Sequence, residues 1–264
     1  MELKEKIKKV NDLQFNQQQA DKLEITYYTD PLCCWSWAFE PQWRRFLYEF
    51  AGQIKYRYCM GGLLPGWKNY NDSVNSVSKP IQMGPVWMHA GQLSGMPVQH
   101  NVWMHDPPSS SYPACIAVKC AALQSQYSEE NYLRLLREAI MMNGENIAKQ
   151  QVLLHVAENL KAIIPAFSIS KFNEDLKNDS GLEAFRKDLQ EVQYHHINRF
   201  PSLVIKNKNQ AVIISGYRPY HILMEAIKQV SKIEKNPKEI NAEEYKNYWP
   251  SITERELEEI TSQI

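Results

Sequence analysis

The segment Cys33-Cys34-Trp35-Ser36 follows a run of strand-forming residues, Leu23-Glu24-Ile25-Thr26-Tyr27-Tyr28, and precedes a pattern typical of a helix. The residues between them, Thr29-Asp30-Pro31-Leu32, predict a turn. Cys33 therefore lies at a helix N-terminus, where unpaired N–H groups and the helix dipole favour the thiolate, the reactive form. In the C-x-x-C motif of thiol redox chemistry a second cysteine stands three residues later, but here that position is Ser36. The sequence predicts a reactive thiol without its usual resolving partner.

A βαβ unit surrounds this segment. Apolar residues between 39 and 50 recur with helical spacing, and Pro41 marks where the helix should start or kink. Residues 54–60 alternate with period two, which predicts a second strand ending at Gly61-Gly62. Cys33 then lies at the carboxyl end of the first strand, where α/β sheets place functional sites.

The rest of the chain predicts a loop-rich segment, a block of helices and a return to strands. Residues 63–112 are rich in Trp and Met and contain several proline breaks, which indicates either a cover over a site or a loop anchored by apolar side chains. Strands at 200–206 and 210–216 form a hairpin, and a helix follows at 220–232. The block between them predicts five helices, at about 113–124, 128–142 (with Ser128 as N-cap), 146–161, 168–178 and 180–194.

Composition limits the classes of function. The chain has 264 residues, with 30 Lys and Arg against 30 Asp and Glu, so its net charge is zero. A balanced charge argues against nucleic acid and against a polybasic membrane anchor as partners. The charged N-terminus precedes no long apolar run, which predicts neither a secretory signal nor a membrane span. We therefore expect a soluble cytoplasmic protein.

The five cysteines do not suggest a structural role in cross-linking or metal binding. An odd count without a leader argues against a disulfide framework. Their spacing fits no zinc site, so no metal is predicted. We expect three of them to be small buried apolar residues: Cys59, Cys115 and Cys120.

Three segments make the chain resemble the cytoplasmic DsbA-like branch of the thioredoxin-fold proteins. Asp30-Pro31-Leu32-Cys33, followed by Trp35, is similar to that branch's D-P-x-C-x-W-C active-site segment. Arg199-Phe200-Pro201-Ser202-Leu203 resembles its cis-proline loop, and Ile214-Ser215-Gly216-Tyr217 resembles the strand and turn that follow. Over roughly residues 23–232 the resemblance implies an α/β thioredoxin fold, βαβ…ββα, with a large helical insertion.

That fold divides the chain into five parts. They are an N-terminal leader (1–22), the first half of the thioredoxin fold (23–65), a loop-rich and helical insertion (66–195), the second half of the fold (196–232) and a C-terminal helical tail (233–264). The tail is rich in Lys and Glu, so we expect it to be exposed. Within it, Thr253-Glu254-Arg255-Glu256 predicts a capping box at the start of a last short helix.

The resemblance also implies roles for the residues of the site. Cys33 and Ser36 are the expected catalytic residues, Trp35, Phe200 and Pro201 the substrate-binding residues, and Cys34 and Asp30 the supporting residues. The Ser36 hydroxyl can donate to the Cys33 thiolate and lower its pKa further. No tightly bound cofactor is expected, although glutathione is a candidate co-substrate. Arg199 and Arg218 flank the site and could hold a glutathione carboxylate, or could be ordinary surface arginines.

Three functions remain open. The first is a thiol-disulfide oxidoreductase or isomerase that acts through Cys33 on a protein or small-molecule thiol, with glutathione or another thiol resolving the mixed disulfide. The second resembles kappa-class glutathione transferases and hydroxychromene-carboxylate isomerases, with Ser36 activating glutathione and residues 67–104 lining an apolar pocket. The third is a non-enzymatic DsbA-like adaptor that presents a client protein to a protease.

Overall fold

The computed structural model describes residues 22–208, 210–236 and 241–261. The predicted leader lies outside the described residues apart from Lys22. The strands are β1 (Leu23–Thr29), β2 (Ile54–Met60), β3 (Ser202–Asn207) and β4 (Gln210–Ser215). The α-helices are α1 (Cys34–Ala38), α2 (Glu40–Glu49), α3 (Met83–Ser94), α4 (Val102–His105), α5 (Tyr112–Ala122), α6 (Gln126–Met141), α7 (Gln150–Ile163), α8 (Ile169–Lys177), α9 (Ser180–Tyr194), α10 (Tyr220–Val230), α11 (Ala242–Tyr248) and α12 (Glu254–Thr261).

One four-stranded sheet organises the molecule, with strand order β2-β1-β3-β4. β1 and β2 run parallel and are joined through α1 and α2, while β3 pairs antiparallel with both β1 and β4. This is the βαβ…ββα arrangement, and the helices α3 to α9 lie between its halves in the chain. The predicted α/β thioredoxin fold with a large helical insertion is therefore confirmed.

The aromatic side chains of β1 and α2 fill the core beside the sheet. The Tyr27 ring lies 5.0 Å from the ring of Trp43 and 5.6 Å from that of Tyr58, centroid to centroid. Trp43 Nε1 also donates a hydrogen bond to Tyr58 Oη at 3.0 Å. Because burying large aromatic residues dominates core energetics, this packing fixes β1 and therefore the position of the segment after it.

Two helix predictions need correction. The segment predicted as loop-rich contains α3 and the short helix α4. Gly84 and Pro85 fall in the first turn of α3, where proline does not interrupt hydrogen bonding. The helix predicted from Ser128 begins at Gln126, since Ser125 is the N-cap and its hydroxyl accepts from Ser128 N–H at 3.0 Å.

The C-terminal residues 241–261, which we call the C-terminal clamp, are packed against the body of the protein. The expectation of an exposed tail holds for the outer side of this segment and is wrong for its inner side, where Glu256 is fully buried and pairs with two arginines. Its Oε1 lies 2.8 Å from Arg134 of α6 and 3.1 Å from Arg44 of α2. The predicted capping box is confirmed, with Thr253 N–H donating to Glu256 Oε2 at 2.7 Å and Glu256 N–H donating to Thr253 Oγ1 at 3.3 Å.

None of the helices in the described ranges is both long enough and apolar enough to cross a lipid bilayer.

Candidate functional site

Cys33 is the N-cap residue of α1, as its position after the first strand predicts. Its Sγ accepts a hydrogen bond from Ser36 N–H at 3.4 Å, the contact that starts the helix. The thiol also faces the carbonyl oxygen of Phe200 at 3.6 Å, to which its S–H can donate. Only 4% of the Cys33 surface is exposed, so one donor and one acceptor enclose the sulfur from two sides.

The expectation of a lowered Cys33 pKa is wrong in this structure. Burial raises the pKa, and the charge of the nearby Asp30 adds to the rise. The Ser36 side chain and backbone and the buried Arg137 act in the opposite direction, as the sequence predicts for Ser36, but do not outweigh burial. Burial thus favours the protonated form of Cys33, and the sulfur is poorly accessible.

Ser36 is fully buried beneath the thiol. Its hydroxyl forms no hydrogen bond of acceptable geometry with any described residue, yet it is close enough to favour the thiolate. The Ser36 hydroxyl therefore acts to stabilise the thiolate form of Cys33. A buried hydroxyl without a partner is costly, so this arrangement favours a function for Ser36 beyond packing.

The loop before β3 places the Phe200 carbonyl beside Cys33. The Phe200–Pro201 peptide bond is cis, the isomer that the resemblance to the cis-proline loop implies. Gly216 N–H donates to Pro201 O at 2.7 Å, which ties this loop to the end of β4. The Phe200 ring packs directly on Gly61, where an added Cβ would lie only 2.0 Å from Phe200 Cζ. Glycine at 61 is thus required for this position of the ring.

Asp30 is a fully buried hub below the site. Its Oδ1 accepts from Leu32 N–H at 2.8 Å, and its Oδ2 accepts from Leu63 N–H at 2.7 Å and Ser111 O–H at 2.9 Å. Cys115 Sγ lies 3.3 Å from the same Oδ2. Burial raises the pKa of Asp30, against the effect of these donors. Asp30 therefore positions the Cys33 turn against β2 and α5.

A cleft of about 770 Å³ opens beside Cys33. Its walls come from the Cys33 turn, residues 70–75, α3, residues 197–200 and residues 215–218. The prediction that the segment 67–104 lines an apolar pocket thus fits its placement, since Tyr70, Met83 and Trp87 all line this cleft. The volume is in the range of ligand pockets, and the cleft can hold a small molecule or a short peptide segment.

The two tryptophans of the motif have different positions, which the sequence alone left open. Trp35 is half-buried, lines the cleft, and has its ring 6.0 Å from that of Tyr217. Trp37 is fully buried, and the guanidinium of Arg134 lies 4.5 Å from the centre of its ring. Trp35 is therefore available to a ligand, whereas Trp37 connects α1 to the interior.

The expected site residues divide into those that line the cleft and those behind it. Cys33, Cys34, Trp35 and Phe200 line the cleft. The remaining three, Ser36, Asp30 and Pro201, are not among the lining residues. Cys34 faces the main core and burial raises its pKa well above the ordinary value, which fits a supporting role.

Several lining residues were not predicted. Gly61 and Leu63 follow β2, and Val192 and Ile197 precede the proline loop. The Gly61-Gly62 pair was visible in the sequence, but only as the end of a strand. The three cysteines expected to be buried are buried, and no group of three or more His, Cys, Asp or Glu in the described ranges could hold a metal ion.

The sheet topology, the N-cap thiol and the cis-proline loop define a thioredoxin-fold protein of the DsbA-like class. The chain belongs to the thioredoxin family whose model (Thioredoxin_5, described as "Thioredoxin") matches residues 27–225. It is similar to the ClpXP adapter protein SpxH of Halalkalibacterium halodurans, with 28% identity over 217 residues that cover 81% of this chain and 69% of the relative. The SpxH of Bacillus subtilis is 26% identical over 222 residues, covering 82% and 70%.

Solved structures share the fold. A provisionally assigned protein disulfide isomerase from Nitrosomonas europaea has a TM-score of 0.66 and 21% identity, covering 79% of this chain and 97% of its own. The cytosolic disulfide reductase DsbM from Pseudomonas aeruginosa has a TM-score of 0.60 and 16% identity, covering 79% and 100%. At such identities the likeness concerns the fold alone.

Proposed function

We propose that this protein is a non-enzymatic adaptor that binds a client protein in the cleft beside Cys33 and presents it to the ClpXP protease. The observation that carries the proposal is the state of Cys33, whose thiol is buried and has a raised pKa. Ser36 also stands where a resolving cysteine would have to be. A wide cleft combined with a poorly reactive thiol suits binding better than turnover.

Two further observations support an adaptor. The relatives from Halalkalibacterium halodurans and Bacillus subtilis are both named ClpXP adapters. The cleft also has apolar side chains at its mouth, with Val74 exposed to 71% and Leu93 to 56%. Exposed apolar residues around a concave surface are typical of sites that bind other proteins.

The test is ATP-dependent degradation. The ClpXP protease and a cell extract of the organism that encodes this chain are incubated with and without the purified protein, and protein loss is followed by quantitative mass spectrometry. We expect faster loss of at least one protein, and equal acceleration by Cys33→Ser, because delivery depends on the cleft and not on the thiol. No accelerated loss would contradict the proposal.

A second candidate function is thiol exchange through Cys33, and the two polar groups at its sulfur favour it. Ser36 N–H and Phe200 O lie at 3.4 and 3.6 Å, positions that can orient an attacking thiolate and its substrate. In this reaction the Cys33 thiolate attacks one sulfur of a disulfide, the S–S bond breaks, and the other sulfur leaves as a thiolate. A second thiol such as glutathione then attacks the mixed disulfide and releases Cys33.

Alkylation by iodoacetamide as a function of pH separates the two candidates. We expect Cys33 to reach half-maximal reactivity above about pH 8.5, the value for a free thiol, and Ser36→Ala to move the midpoint higher still. Fragment mass spectra distinguish Cys33 from Cys34. A midpoint well below pH 8.5 would contradict the buried-thiol argument and favour exchange.

The glutathione transferase hypothesis has less support. A hydroxyl that activates bound glutathione must touch the ligand, whereas Ser36 is fully buried and does not line the cleft. We therefore do not propose this activity.

A further inference from the structure

The cleft beside Cys33 carries an unbalanced positive charge. Arg199 and Arg218 line one wall, both side chains are exposed, and neither forms an ion pair with any described residue. Asp72 is the acidic side chain among the described lining residues. The two arginines therefore outnumber the carboxylates among the described residues that line the cleft.

The Asp72 carboxylate is already engaged within its own turn. Its Oδ1 accepts from Val74 N–H at 3.0 Å and Asn75 N–H at 3.1 Å, and its Oδ2 accepts from Asn75 Nδ2 at 2.6 Å. Asp72 thus stabilises the loop 70–75. It forms no ion pair with Arg199 or Arg218.

The fold holds one of these arginines in place. The stem of Arg199 lies over Gly216, since an added Cβ there would be 3.1 Å from Arg199 Cδ. Ser202 O–H donates to Arg199 O at 2.7 Å and fixes the backbone beneath it. Because the stem is packed, less side-chain entropy is lost when the guanidinium binds a carboxylate.

Apolar groups surround the same cavity. Trp35 and Tyr217 form a half-buried aromatic floor, and the exposed Val74 and Leu93 lie at the lip. A ligand for this cleft should therefore combine apolar side chains with negative charge. An extended peptide presents successive side chains to opposite faces, so a short segment can supply both.

We propose that the cleft recognises an acidic, apolar segment of the client protein, with Arg199 and Arg218 binding its carboxylates. The inference rests on the proposed adaptor function and adds the chemistry of the client. Arg–carboxylate hydrogen bonds are charge-assisted and directional. The charged wall thus selects acidic segments, while the aromatic floor and apolar lip supply contact area.

Peptide binding tests this selectivity. The probes are a fluorescein-labelled peptide of about ten residues containing four leucines and three glutamates, and its counterparts with glutamine or lysine in place of glutamate. We expect the glutamate peptide to bind at least tenfold more tightly than either counterpart by fluorescence anisotropy. Raising NaCl from about 50 to about 300 mM should weaken this binding, because salt screens exposed charges.

Matched variants locate the binding. Arg199→Ala/Arg218→Ala should weaken the glutamate peptide about tenfold and abolish its salt dependence. Arg186→Ala/Lys187→Ala removes the same charge from exposed positions outside the cleft and should leave binding unchanged. Leu93→Ser should weaken all three peptides, whereas Leu123→Ser, also exposed, should not. Equal binding of the three peptides, or equal weakening by both double variants, would overturn the inference.

The degradation assay distinguishes a failure of the acidic-client inference from a failure of the proposed adaptor function. Accelerated ClpXP turnover that survives Arg199→Ala/Arg218→Ala would overturn the acidic-client inference and leave the adaptor function standing. Arginine-dependent peptide binding without any accelerated turnover would contradict the adaptor function and show a cleft that binds acidic segments for another purpose.

Discussion

Asp30 below the cleft and Glu256 in the C-terminal clamp are both fully buried carboxyl groups, yet their surroundings differ in kind. The hydrogen-bond donors around Asp30 are neutral groups, and burial raises its pKa. Burial also acts to raise the pKa of Glu256, but the guanidiniums of Arg44 and Arg134 outweigh it and hold that pKa below its usual range. The clamp uses charge pairs to join helices, whereas the site rests on neutral hydrogen bonds.

The arginines of the two regions show the same contrast. Arg134 of α6 contacts Glu256 of the clamp through two nitrogens, at 2.8 and 2.9 Å. Arg199 and Arg218 in the cleft have no carboxylate partner among the described residues. The paired arginine stabilises the fold, whereas the unpaired arginines of the cleft remain available to a ligand.

The largest expected effect is on the clamp. Glu256→Ala leaves Arg44 and Arg134 buried with one fewer carboxylate between them, so we expect a loss of about 3–5 kcal/mol in the free energy of unfolding. Urea denaturation measures it. Glu258→Ala, at an exposed position of the same helix, is the control and should cost less than about 0.5 kcal/mol. Similar costs for both variants would contradict the conclusion that the buried Glu256 stabilises the packing of the clamp.

A smaller loss is expected where the site depends on close packing. Gly61→Ala introduces a Cβ that collides with the Phe200 ring and should cost about 1–3 kcal/mol. Because displacing the Phe200 ring also moves the loop whose carbonyl encloses Cys33, that thiol should react faster with iodoacetamide. Gly84→Ala meets no atom within 4 Å and should be neutral or slightly stabilising. Unchanged stability and reactivity in Gly61→Ala would show that the Phe200 ring can move freely.

The two carboxyl groups should respond to pH with opposite sign. The contribution of Asp30, whose folded pKa is raised, is complete below about pH 3.9 and is lost as the pH rises through the folded value. The contribution of Glu256, whose folded pKa is lowered, is present above about pH 4.3 and is lost as the pH falls through the folded value.

Two variants with nearly isosteric side chains, Asp30→Asn and Glu256→Gln, test these two pH ranges. We expect the stability difference between wild type and Asp30→Asn to shrink from pH 4 to pH 8, because the folded pKa of Asp30 is raised. The difference between wild type and Glu256→Gln should shrink from pH 6 to pH 3, because the folded pKa of Glu256 is lowered. Urea unfolding across this pH range measures both. If both stability differences changed in the same direction with pH, the proposed contrast between Asp30 and Glu256 would be refuted.

The smallest effect is expected at the cleft arginines. Arg199→Ala/Arg218→Ala should change the free energy of unfolding by less than about 0.5 kcal/mol, because exposed, unpaired side chains contribute little to stability. The measurement is the same urea titration. A loss above about 1 kcal/mol would reveal a structural partner and weaken the assignment of these arginines to a ligand.

Local patterns predicted the parts of the fold that local forces determine. Period-two alternation gave β2, and the hairpin signal gave β3 and β4. Cys33 was found because a helix N-cap thiol is a feature of adjacent residues. The position of Phe200 beside it followed from the family resemblance, since no local signal links two residues 167 positions apart.

Local patterns could not predict the packing of the clamp or the net shift of the Cys33 pKa. Glu256 and Arg134 are 122 residues apart, and each looks like an ordinary surface charge in the sequence. The helix N-terminus correctly predicts a favourable influence on the thiolate, but burial reverses the outcome, and burial depends on the whole fold. The helix α3 was missed because Gly84 and Pro85 at its start look like a loop signal.

During synthesis, β1 cannot pair with β3 until the ribosome has made β3. At about 5–20 residues per second, the ribosome needs roughly 8–33 s to add the 167 residues between Cys33 and Phe200. During that interval one edge of β1 has no strand beside it, and the thiol lacks the carbonyl that later encloses it. The nascent chain therefore exposes an unpaired strand edge and the Cys33 thiol at the same time. Chaperones and oxidants have access to Cys33 then, before the finished protein closes over it.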